Sequence, residues 1–400
     1  MNKIVKKTLA AALALSLVGG GLPAITGGTD IFKSAIVAEA AGEKVALTNV
    51  NVALDDSITL KFYATKASVE AADVDSVTLT GPNGPINVTS FTADATDTYY
   101  VFSYPIYATE LDENVNIQFK KSEDTVQIHH GDEDSASYSY KVNDYCDYVI
   151  SDTNNEFDEK TENAANSLKN LGIAAKNYFS DSTDEITFLD NDYSSLVDFG
   201  HDIAGIEAKF SLVLDSKLSA RTYIDGLTVG EQSQAVGGLT VYTAISGKGD
   251  KACFELANIN PTELDGTQIL YYNEDYYYLN PLFYCARAIN NNTNPKAVDV
   301  AKAVYEYNKY IEKYANIIKI WDFDSDNLFS AYEFSFTPGM TWSELAGQYE
   351  NVLIIGSKVG LDYDDAGYNY ICDGNESAIE PSAVIDPSIT YYYEFYNSMA

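Results

Sequence analysis

One acidic stretch in the last quarter of the chain has the spacing of a calcium-binding loop. Side-chain oxygens fall at positions 1, 3, 5, 9 and 12 of this stretch, in Asp322, Asp324, Asp326, Ser330 and Glu333. Carboxylate and hydroxyl oxygens at this spacing are the ligands that Ca²⁺ prefers in proteins. The stretch is therefore a candidate Ca²⁺ site, and no other cofactor is indicated.

Two features of the same stretch favour a plain acidic linker. Position 6 is Asn327 rather than the Gly that the sharp turn requires, although Asn adopts the left-handed backbone more readily than most residues. Downstream, residues 332–338 have the pattern of a strand that stops at Pro338, so no exiting helix holds Glu333. The chain carries 59 Asp and Glu, and acidic segments are common in such a composition. Both interpretations stay open at this point.

Histidine supplies little for catalysis. His129 and His130 lie in an acidic, Gly-containing segment that is typical of a solvated turn between strands, and His201 is the third and last histidine. The sequence contains no nucleophile elbow, phosphate loop or zinc-protease helix. Paired carboxylates, as in glycosidases, are a third possibility, but the abundance of acids makes any single pair uninformative.

Tyrosine is the more suggestive excess, with 32 residues, several of them in clusters. A phenol ring can stack on a sugar or fill a protein interface at low entropic cost. Successive residues of a strand point to opposite faces, so about half of each cluster is expected in the core. Tyr276 and Tyr278 are the candidate ligand-binding residues of the outward half.

The four cysteines are widely spaced and form no CxxC pair, which argues against zinc-ribbon and redox motifs. A bridge between Cys253 and Cys285 is one alternative. The plainer alternative is that the cysteines are buried free thiols.

The first 41 residues have the features of a secretory signal peptide: a basic start, an apolar run at residues 8–18 and small residues at 38–41. Cleavage is expected after residues 38–41, with Ala24 as an alternative. No later segment is apolar enough to span a bilayer, so no membrane span is expected in the mature chain. We expect a secreted or cell-surface protein.

The formal net charge of −34 narrows the range of partners. Nucleic-acid backbones and anionic lipid are repelled by such a field, because their binding needs clustered Lys and Arg. Nucleic acid is therefore not expected as a partner. An extracellular protein or a glycan is the expected ligand.

The chain is predicted to be internally duplicated. The tetrapeptide Thr-Glu-Leu-Asp occurs at residues 109–112 and 262–265, each time three residues after an isoleucine, Ile106 or Ile259. Residues 54–63 (LDDSITLKFY) parallel residues 214–223 (LDSKLSARTY). Differences in offset between these landmarks are tolerated, because loop length costs little free energy.

Each predicted copy begins with short strands. Period-2 alternation at residues 58–63 predicts a strand with one buried face, and the Pro-Asn-Gly-Pro sequence at 82–85 predicts a tight turn.

Each predicted copy ends with two helices. The longer helix of the first copy has an apolar stripe within residues 161–179, and aligning Ala164 with Val300 superimposes this stripe on a second one. The second stripe lies in a helix that Asn294 caps, with Pro295 at its first position.

The predicted fold is α+β. It has two antiparallel β-sandwich-like units, each followed by a helical pair, and a small C-terminal α+β module with a short helix starting at Thr341. The expected boundaries are a signal peptide at 1–41, units at 43–180 and 206–316, a linker at 181–205, and the module at 330–400.

Four segments carry a resemblance to a protein group: residues 54–63, 139–150 (SYKVNDYCDYVI), 166–179 (NSLKNLGIAAKNYF) and 339–345 (GMTWSEL). Together they resemble uncharacterised secreted and cell-surface proteins of anaerobic Gram-positive bacteria that have duplicated β-sandwich and helical-pair units. The resemblance implies export and a surface role, and it supplies no catalytic residue.

The sequence thus favours a noncatalytic extracellular or surface protein that acts in adhesion or ligand binding. The alternative is a glycan-binding accessory protein of a carbohydrate-degrading system. A hydrolase that uses paired carboxylates is the third hypothesis.

Overall fold

A computed structural model describes the chain over residues 44–54, 58–151, 157–180, 182–190, 193, 206–212, 218–228, 234–236, 239–242, 251–259, 268–272, 275–279, 281–291, 294–322, 331–361, 368–387 and 389–396, with the backbone alone for residues 206–279. The predicted signal peptide lies outside the described residues. The chain forms two compact units, and the boundary between them falls between Ala165 and Asn166, inside a helix. The fold is α+β with two mixed β-sheets, one nearly barrel-shaped and one forming half a barrel.

The first unit is built on nine strands. They are β1 (Lys44–Leu54), β2 (Ile58–Thr65), β3 (Ser76–Gly81), β4 (Gly84–Val88), β5 (Tyr99–Pro105), β6 (Val115–Lys121), β7 (Asp124–His130), β8 (Glu133–Ser135) and β9 (Tyr138–Tyr140). The helices that accompany and follow them are α1 (Lys66–Ala71), a 3-10 turn (Ala108–Glu110), α2 (Val142–Ile150) and α3 (Glu159–Phe179).

These nine strands form one continuous sheet in the order β4-β3-β6-β7-β1-β2-β5, with β8 beside β7 and β9 beside β6. The predicted antiparallel sandwich differs from this arrangement because β1 pairs with β7 in parallel. That pairing joins the two halves of the strand order, so one curved sheet replaces two stacked layers. The alternation of apolar and polar residues predicted the buried face of β2 correctly, because Ile58, Leu60 and Phe62 are at most 2% exposed.

Tyr104 brings the two ends of this strand order together. Its ring is fully buried on β5, and its hydroxyl donates to the Gly84 carbonyl of β4 (2.8 Å) and accepts from the Asn83 amide (3.0 Å). A Cβ atom at Gly81 would lie 2.7 Å from this ring, so any other residue there would force the ring or the backbone to move. The turn at residues 82–85 was predicted from sequence, and Gly84 occupies it with φ of +90°.

Within the described residues of 206–279 there are seven strands in two antiparallel sheets. The strands are β10 (Ile206–Leu212), β11 (Leu218–Thr228), β12 (Gln234–Val236), β13 (Leu239–Tyr242), β14 (Lys251–Ile259), β15 (Gln268–Tyr272) and β16 (Asp275–Leu279). The sheet orders are β10-β11-β14-β13 and β12-β15-β16. Helices α4 (Pro281–Asn291) and α5 (Pro295–Ala315) follow. As predicted, the Asn294 side chain caps α5 by accepting from the Lys296 amide.

The C-terminal region forms the second mixed sheet. Its elements are β17 (Ile317–Asp322), β18 (Ala331–Ser335), α6 (Trp342–Gln348), β19 (Val352–Ile355), β20 (Lys358–Leu361), β21 (Tyr368–Cys372) and β22 (Tyr391–Tyr396). The strand order is β18-β17-β22-β21-β20-β19, with β17 and β22 parallel. The sheet thus includes β17, which lies before the expected module start at residue 330.

The core of this region surrounds Trp342, which is fully buried. Thr341 caps α6 through a reciprocal capping box with Glu344, as expected for a helix that begins there. Because the cap fixes the start of α6, Trp342 and Leu345 on the same short helix are both directed into the core. None of the described helices combines the length and apolar character needed to span a bilayer.

Candidate functional site

The predicted calcium-loop residues are divided between two strands and a segment outside the described residues. Asp322 ends β17, Glu333 lies on β18, and Asp324, Asp326 and Ser330 fall outside the described part of the chain. Glu333 pairs in register with Lys319 and lies 3.4 Å from its Nζ atom. The strand predicted after the loop is present.

The positive charge beside Glu333 is therefore the ammonium group of Lys319. Within the described residues, no group of three or more His, Cys, Asp and Glu side chains could hold a metal ion.

Tyr276 and Tyr278 lie on β16, the edge strand of the three-stranded sheet. Tyr276 pairs with Tyr271 of β15, and Tyr278 pairs with Ile269. Their side chains lie outside the described part of the structure. The register nevertheless puts Tyr271, Tyr272 and Tyr276–Tyr278 in one hairpin, so the sequence cluster is also a cluster in the fold.

The two adjacent histidines lie on a strand rather than in the turn expected from sequence. His129 pairs in register with Ala46 of β1, and His130 pairs with Glu133 of β8, so β7 continues to His130 before Gly131 turns the chain. His129 Nδ1 lies 2.9 Å from Asp134 Oδ1, and both side chains are exposed. The pair is a surface contact between β7 and β8.

Cys285 is a fully buried free thiol on α4, in agreement with the plainer of the two cysteine alternatives. Burial raises the pKa of this thiol. A buried, protonated thiol is a poor nucleophile, so Cys285 has the properties of a packing residue.

A network of hydrogen-bonding and charged side chains surrounds residues 182–190 and Tyr193, here called the strap. The strap has no helix or strand and lies within the predicted linker. Its main chain is held by α3: the Asn177 amide donates to the Asp184 carbonyl (2.8 Å) and accepts from the Asp184 amide (3.0 Å). Asn170 donates to the Thr187 carbonyl (2.8 Å). Side chains thus provide the hydrogen bonds that a sheet would otherwise provide.

Glu306 of α5 holds the other end of the strap. Its side chain is 0% exposed. One carboxylate oxygen accepts from the Asp190 amide (2.7 Å) and from the Tyr193 hydroxyl (2.8 Å). The second oxygen, Oε2, is buried and accepts no hydrogen bond within the described structure. A buried carboxylate with one vacant acceptor is unusual, since most buried polar atoms are paired.

Asp190 completes this network from the strap side. Its carboxylate accepts from the Tyr310 hydroxyl (3.1 Å) and forms an ion pair with Lys309 (2.7 Å). Burial, reinforced by the carboxylate of Glu306, raises the pKa of Tyr193. Burial, reinforced by Asp190, raises the pKa of Tyr310. Both phenols therefore remain hydrogen-bond donors at neutral pH.

A second cation flanks the network. Lys302 Nζ lies 5.2 Å from the Tyr193 ring centre and 5.4 Å from that of Phe188, within the range of cation–π attraction. The strap is thus held by hydrogen bonds, an ion pair and ring contacts together.

The two carboxylates of this network hold a segment of the chain itself. Glu306 and Asp190 are a pair of carboxylates, as a hydrolase requires, but Glu306 has no exposed surface and Asp190 is engaged by Lys309 and Tyr310. A general acid must come within hydrogen-bond reach of a substrate. In the structure the pair instead holds a segment of the chain itself.

Sequence reasoning missed Glu306, although one signal pointed to it. The alignment of Ala164 with Val300, which superimposes the two apolar helical stripes, also aligns Asn170 with Glu306. Both positions are buried and polar, with exposures of 5% and 0%, and both bind strap main chain. A polar residue at the same position beside each of the two apolar stripes therefore marks the contact.

No protein-family model, no curated protein and no solved structure matches the chain.

Proposed function

We propose that this chain is a secreted, noncatalytic extracellular or cell-surface protein, built from a duplicated unit, that acts in adhesion or ligand binding. The leader-like N-terminus supports export. The duplicated scaffold supports a binding role, because two equivalent surfaces on one chain raise the apparent affinity for a repeated target.

The register of the strands is the observation that carries this proposal. In the first unit the Ile106 amide donates to the Ile58 carbonyl (2.8 Å), and β2 pairs with both β1 and β5. The parallel decapeptides equate Ile58 with Leu218, and the repeated tetrapeptides, at a different offset, equate Ile106 with Ile259. In the structure Leu218 pairs in register with Ile259, and β11 pairs with both β10 and β14. Two independent alignments thus lead to the same strand contact.

The longer helices support the duplication in the same way. Helices α3 and α5 each contain 21 residues. The alignment that superimposes their apolar stripes therefore matches the first residues, Glu159 and Pro295, and also the last residues, Phe179 and Ala315.

The shorter helices give a separate correspondence. Aligning their first residues, Val142 of α2 and Pro281 of α4, also aligns Cys146 with Cys285. Both cysteines are buried. Each pair of helices thus matches at more than one position under a single offset.

The partner should be an extracellular protein without a large net negative charge, since the net charge of −34 repels anionic polymers, and this still allows the partner a short acidic segment. The test is to incubate the purified chain from residue 42 onward with cell wall and culture medium of the producing cells. We expect saturable capture of a defined component. The absence of capture from both fractions, or recovery of the chain from the cytoplasm with residues 1–41 intact, would contradict the proposal.

A glycan-binding accessory role is the second candidate, favoured by the pairing of Tyr271 with Tyr276 in the tyrosine-rich hairpin. A glycan array distinguishes the two roles. Saturable sugar binding that Tyr276→Ala or Tyr278→Ala abolishes, and that Tyr276→Phe retains, supports ring stacking. The hydrolase hypothesis is tested by a substrate screen on the same protein, in which turnover would replace both binding roles.

A further inference from the structure

The helices that hold the strap form a groove with a distinct chemistry. We define the α3–α5 groove by six side chains that contact the strap or its start, namely Asn170, Asn177, Lys296, Lys302, Glu306 and Lys309. Two are amides, one is a carboxylate and three are lysines. The groove therefore combines main-chain recognition with positive charge.

Main-chain atoms are the principal target of the amides. Asn177 binds both the N–H and the C=O of Asp184, and Asn170 binds the C=O of Thr187. Glu306 then binds the N–H of Asp190, so the contacted residues are spaced by three. Every residue except proline offers these main-chain groups. The groove can therefore bind a non-helical segment with little dependence on its sequence.

The lysines add a preference for acidic segments. Lys309 pairs with Asp190, and Lys296 donates to the carbonyls of Ser180 and Ser182 at 3.3 and 3.2 Å. The whole chain has 25 Lys and Arg against 59 Asp and Glu. Three lysines of one helix directed at one segment are thus a local reversal of the overall charge.

The groove also requires an occupant. Asn170, Asn177 and Glu306 are at most 7% exposed, and their hydrogen bonds described above go to the strap. A buried polar group that loses its partner costs about 1–3 kcal/mol, so an empty groove is unfavourable. The vacant Oε2 of Glu306 offers one further acceptor at the end of the groove.

We propose that the α3–α5 groove is a binding site for a non-helical, acidic segment of a partner protein, and that the strap occupies this site in cis until the partner displaces it. The proposal rests on the ligand-binding role proposed above and gives that role a site and a ligand class. The strap itself shows the chemistry that fits: main-chain groups at intervals of three residues, a carboxylate for Lys309 and an aromatic ring for Lys302.

The test uses the chain from residue 42 onward and a fluorescent peptide with the sequence of residues 182–193. Asp190→Ala removes the strap's ion pair with Lys309 and loosens the strap, whereas the peptide keeps its own Asp. We expect fluorescence anisotropy to show the peptide binding the Asp190→Ala variant at least about tenfold more tightly than wild type, a difference of about 1.4 kcal/mol. A scrambled peptide should not bind.

Adding Lys309→Ala to the loosened variant should weaken peptide binding about tenfold or more. Lys358→Ala, which removes one lysine from the C-terminal sheet, is the matched control and should leave binding unchanged. Hydrogen exchange of α5 verifies that each variant is folded. If Asp190→Ala is not folded, Tyr193→Phe replaces it as a milder variant, because it removes only the hydroxyl that bonds Glu306. Equal binding of the two peptides, or equal binding with and without Lys309, would overturn the proposal.

The same variants separate this proposal from the broader one. If cell-wall or medium components still bind Lys309→Ala as they bind wild type, the groove is not the site while the ligand-binding role stands. If nothing binds wild type and the loosened variant binds the peptide, the groove is a receptor and the surface role fails.

Discussion

The nine-stranded sheet and the C-terminal sheet bring distant parts of a curved strand order together in different ways, although both use tyrosine hydroxyls. In the nine-stranded sheet a single residue, Tyr104, does this from a fully buried position. In the C-terminal sheet Tyr349 does this, and Tyr391 makes the same kind of contact with a nearby loop residue. Tyr349, next to edge strand β19, bonds both main-chain groups of Ser335 on edge strand β18 at 3.1 Å, and Tyr391 bonds both those of Asp386 at 3.1 Å.

The comparison shows that part of the tyrosine excess serves the structure of the two sheets. Each of the three hydroxyls donates to a main-chain carbonyl and accepts from a main-chain amide. For Tyr104 and Tyr349 these groups lie in an edge strand or the turn beside it, and for Tyr391 they lie in a loop. Where the sheet is nearly barrel-shaped, one buried ring reaches across. In the sheet that forms half a barrel, Tyr391 packs on Trp342 (4.9 Å between ring centres). The half-buried Tyr349 bonds Ser335 near the opposite edge of that sheet.

The largest expected effect is the loss of the Tyr104 ring. Tyr104→Ala removes a fully buried aromatic side chain, and such truncations cost about 3–5 kcal/mol. Chemical denaturation with hydrogen exchange read on β2–β5 measures the change. Tyr349→Ala is the counterpart and should cost less, because its ring is only half-buried. Equal losses would mean that the two sheets close in the same way.

Gly81→Ala tests the space beside the same ring. The added Cβ atom would meet Tyr104 at 2.7 Å, and we expect a loss of about 1–3 kcal/mol from overpacking. Gly347→Ala in α6 is the matched control, since nothing lies within 4 Å of a Cβ there. That substitution should be neutral or stabilise by up to about 1 kcal/mol, because Ala favours helix. Urea unfolding of both variants would contradict this if Gly81→Ala were the milder one.

Local features of this fold could be predicted from sequence because they depend on neighbouring residues. The alternation at Ile58, Leu60 and Phe62, the turn at residues 82–85 and the cap at Asn294 each involve residues a few positions apart. The parallel pairing of β1 with β7 could not be predicted. It joins strands that are far apart in the chain, and the period-2 pattern does not specify which strand lies next to which.

The candidate site was more difficult to predict from the sequence than the strand pairing. Residues 181–205 have the composition of a linker, and composition does not reveal that Asn170, Asn177 and Glu306 on two helices bind the described part of it. Apolar stripes predict which helix face is buried, but a buried Glu within a helix runs against that rule. The alignment of Asn170 with Glu306, each directly before a stripe residue, was the available signal.

The hydroxyls alone give a finer test of the comparison. Tyr104→Phe keeps the ring and leaves the main-chain amide of Asn83 and the Gly84 carbonyl without this partner, at a cost of about 1–3 kcal/mol because the Tyr104 side chain that contacts them is fully buried. Tyr349→Phe should cost about 0.5–1.5 kcal/mol, since water can reach the half-buried Ser335. The two denaturation curves should therefore differ in midpoint. A larger loss at Tyr349 would reverse the order proposed for the two sheets.

The smallest effect concerns alkaline pH. Burial raises the pKa of Tyr138 on β9 to about 12, and burial also raises the pKa of Tyr391 in the C-terminal sheet. A phenol whose pKa is higher in the folded state stabilises the fold fully below its unfolded pKa, which is near 10. This stability is lost as the pH rises from about 10 toward 12, because the unfolded chain then binds fewer protons than the folded one.

Tyr138→Phe removes one such proton while the ring can keep its contact with His130, 4.4 Å away between ring centres. The variant should match wild type near pH 8 and lose less stability than wild type between about pH 10 and 12. Urea midpoints at both ends of this range measure the difference. An identical loss in the two proteins would contradict this, because it would mean that burial does not raise the pKa of the Tyr138 hydroxyl.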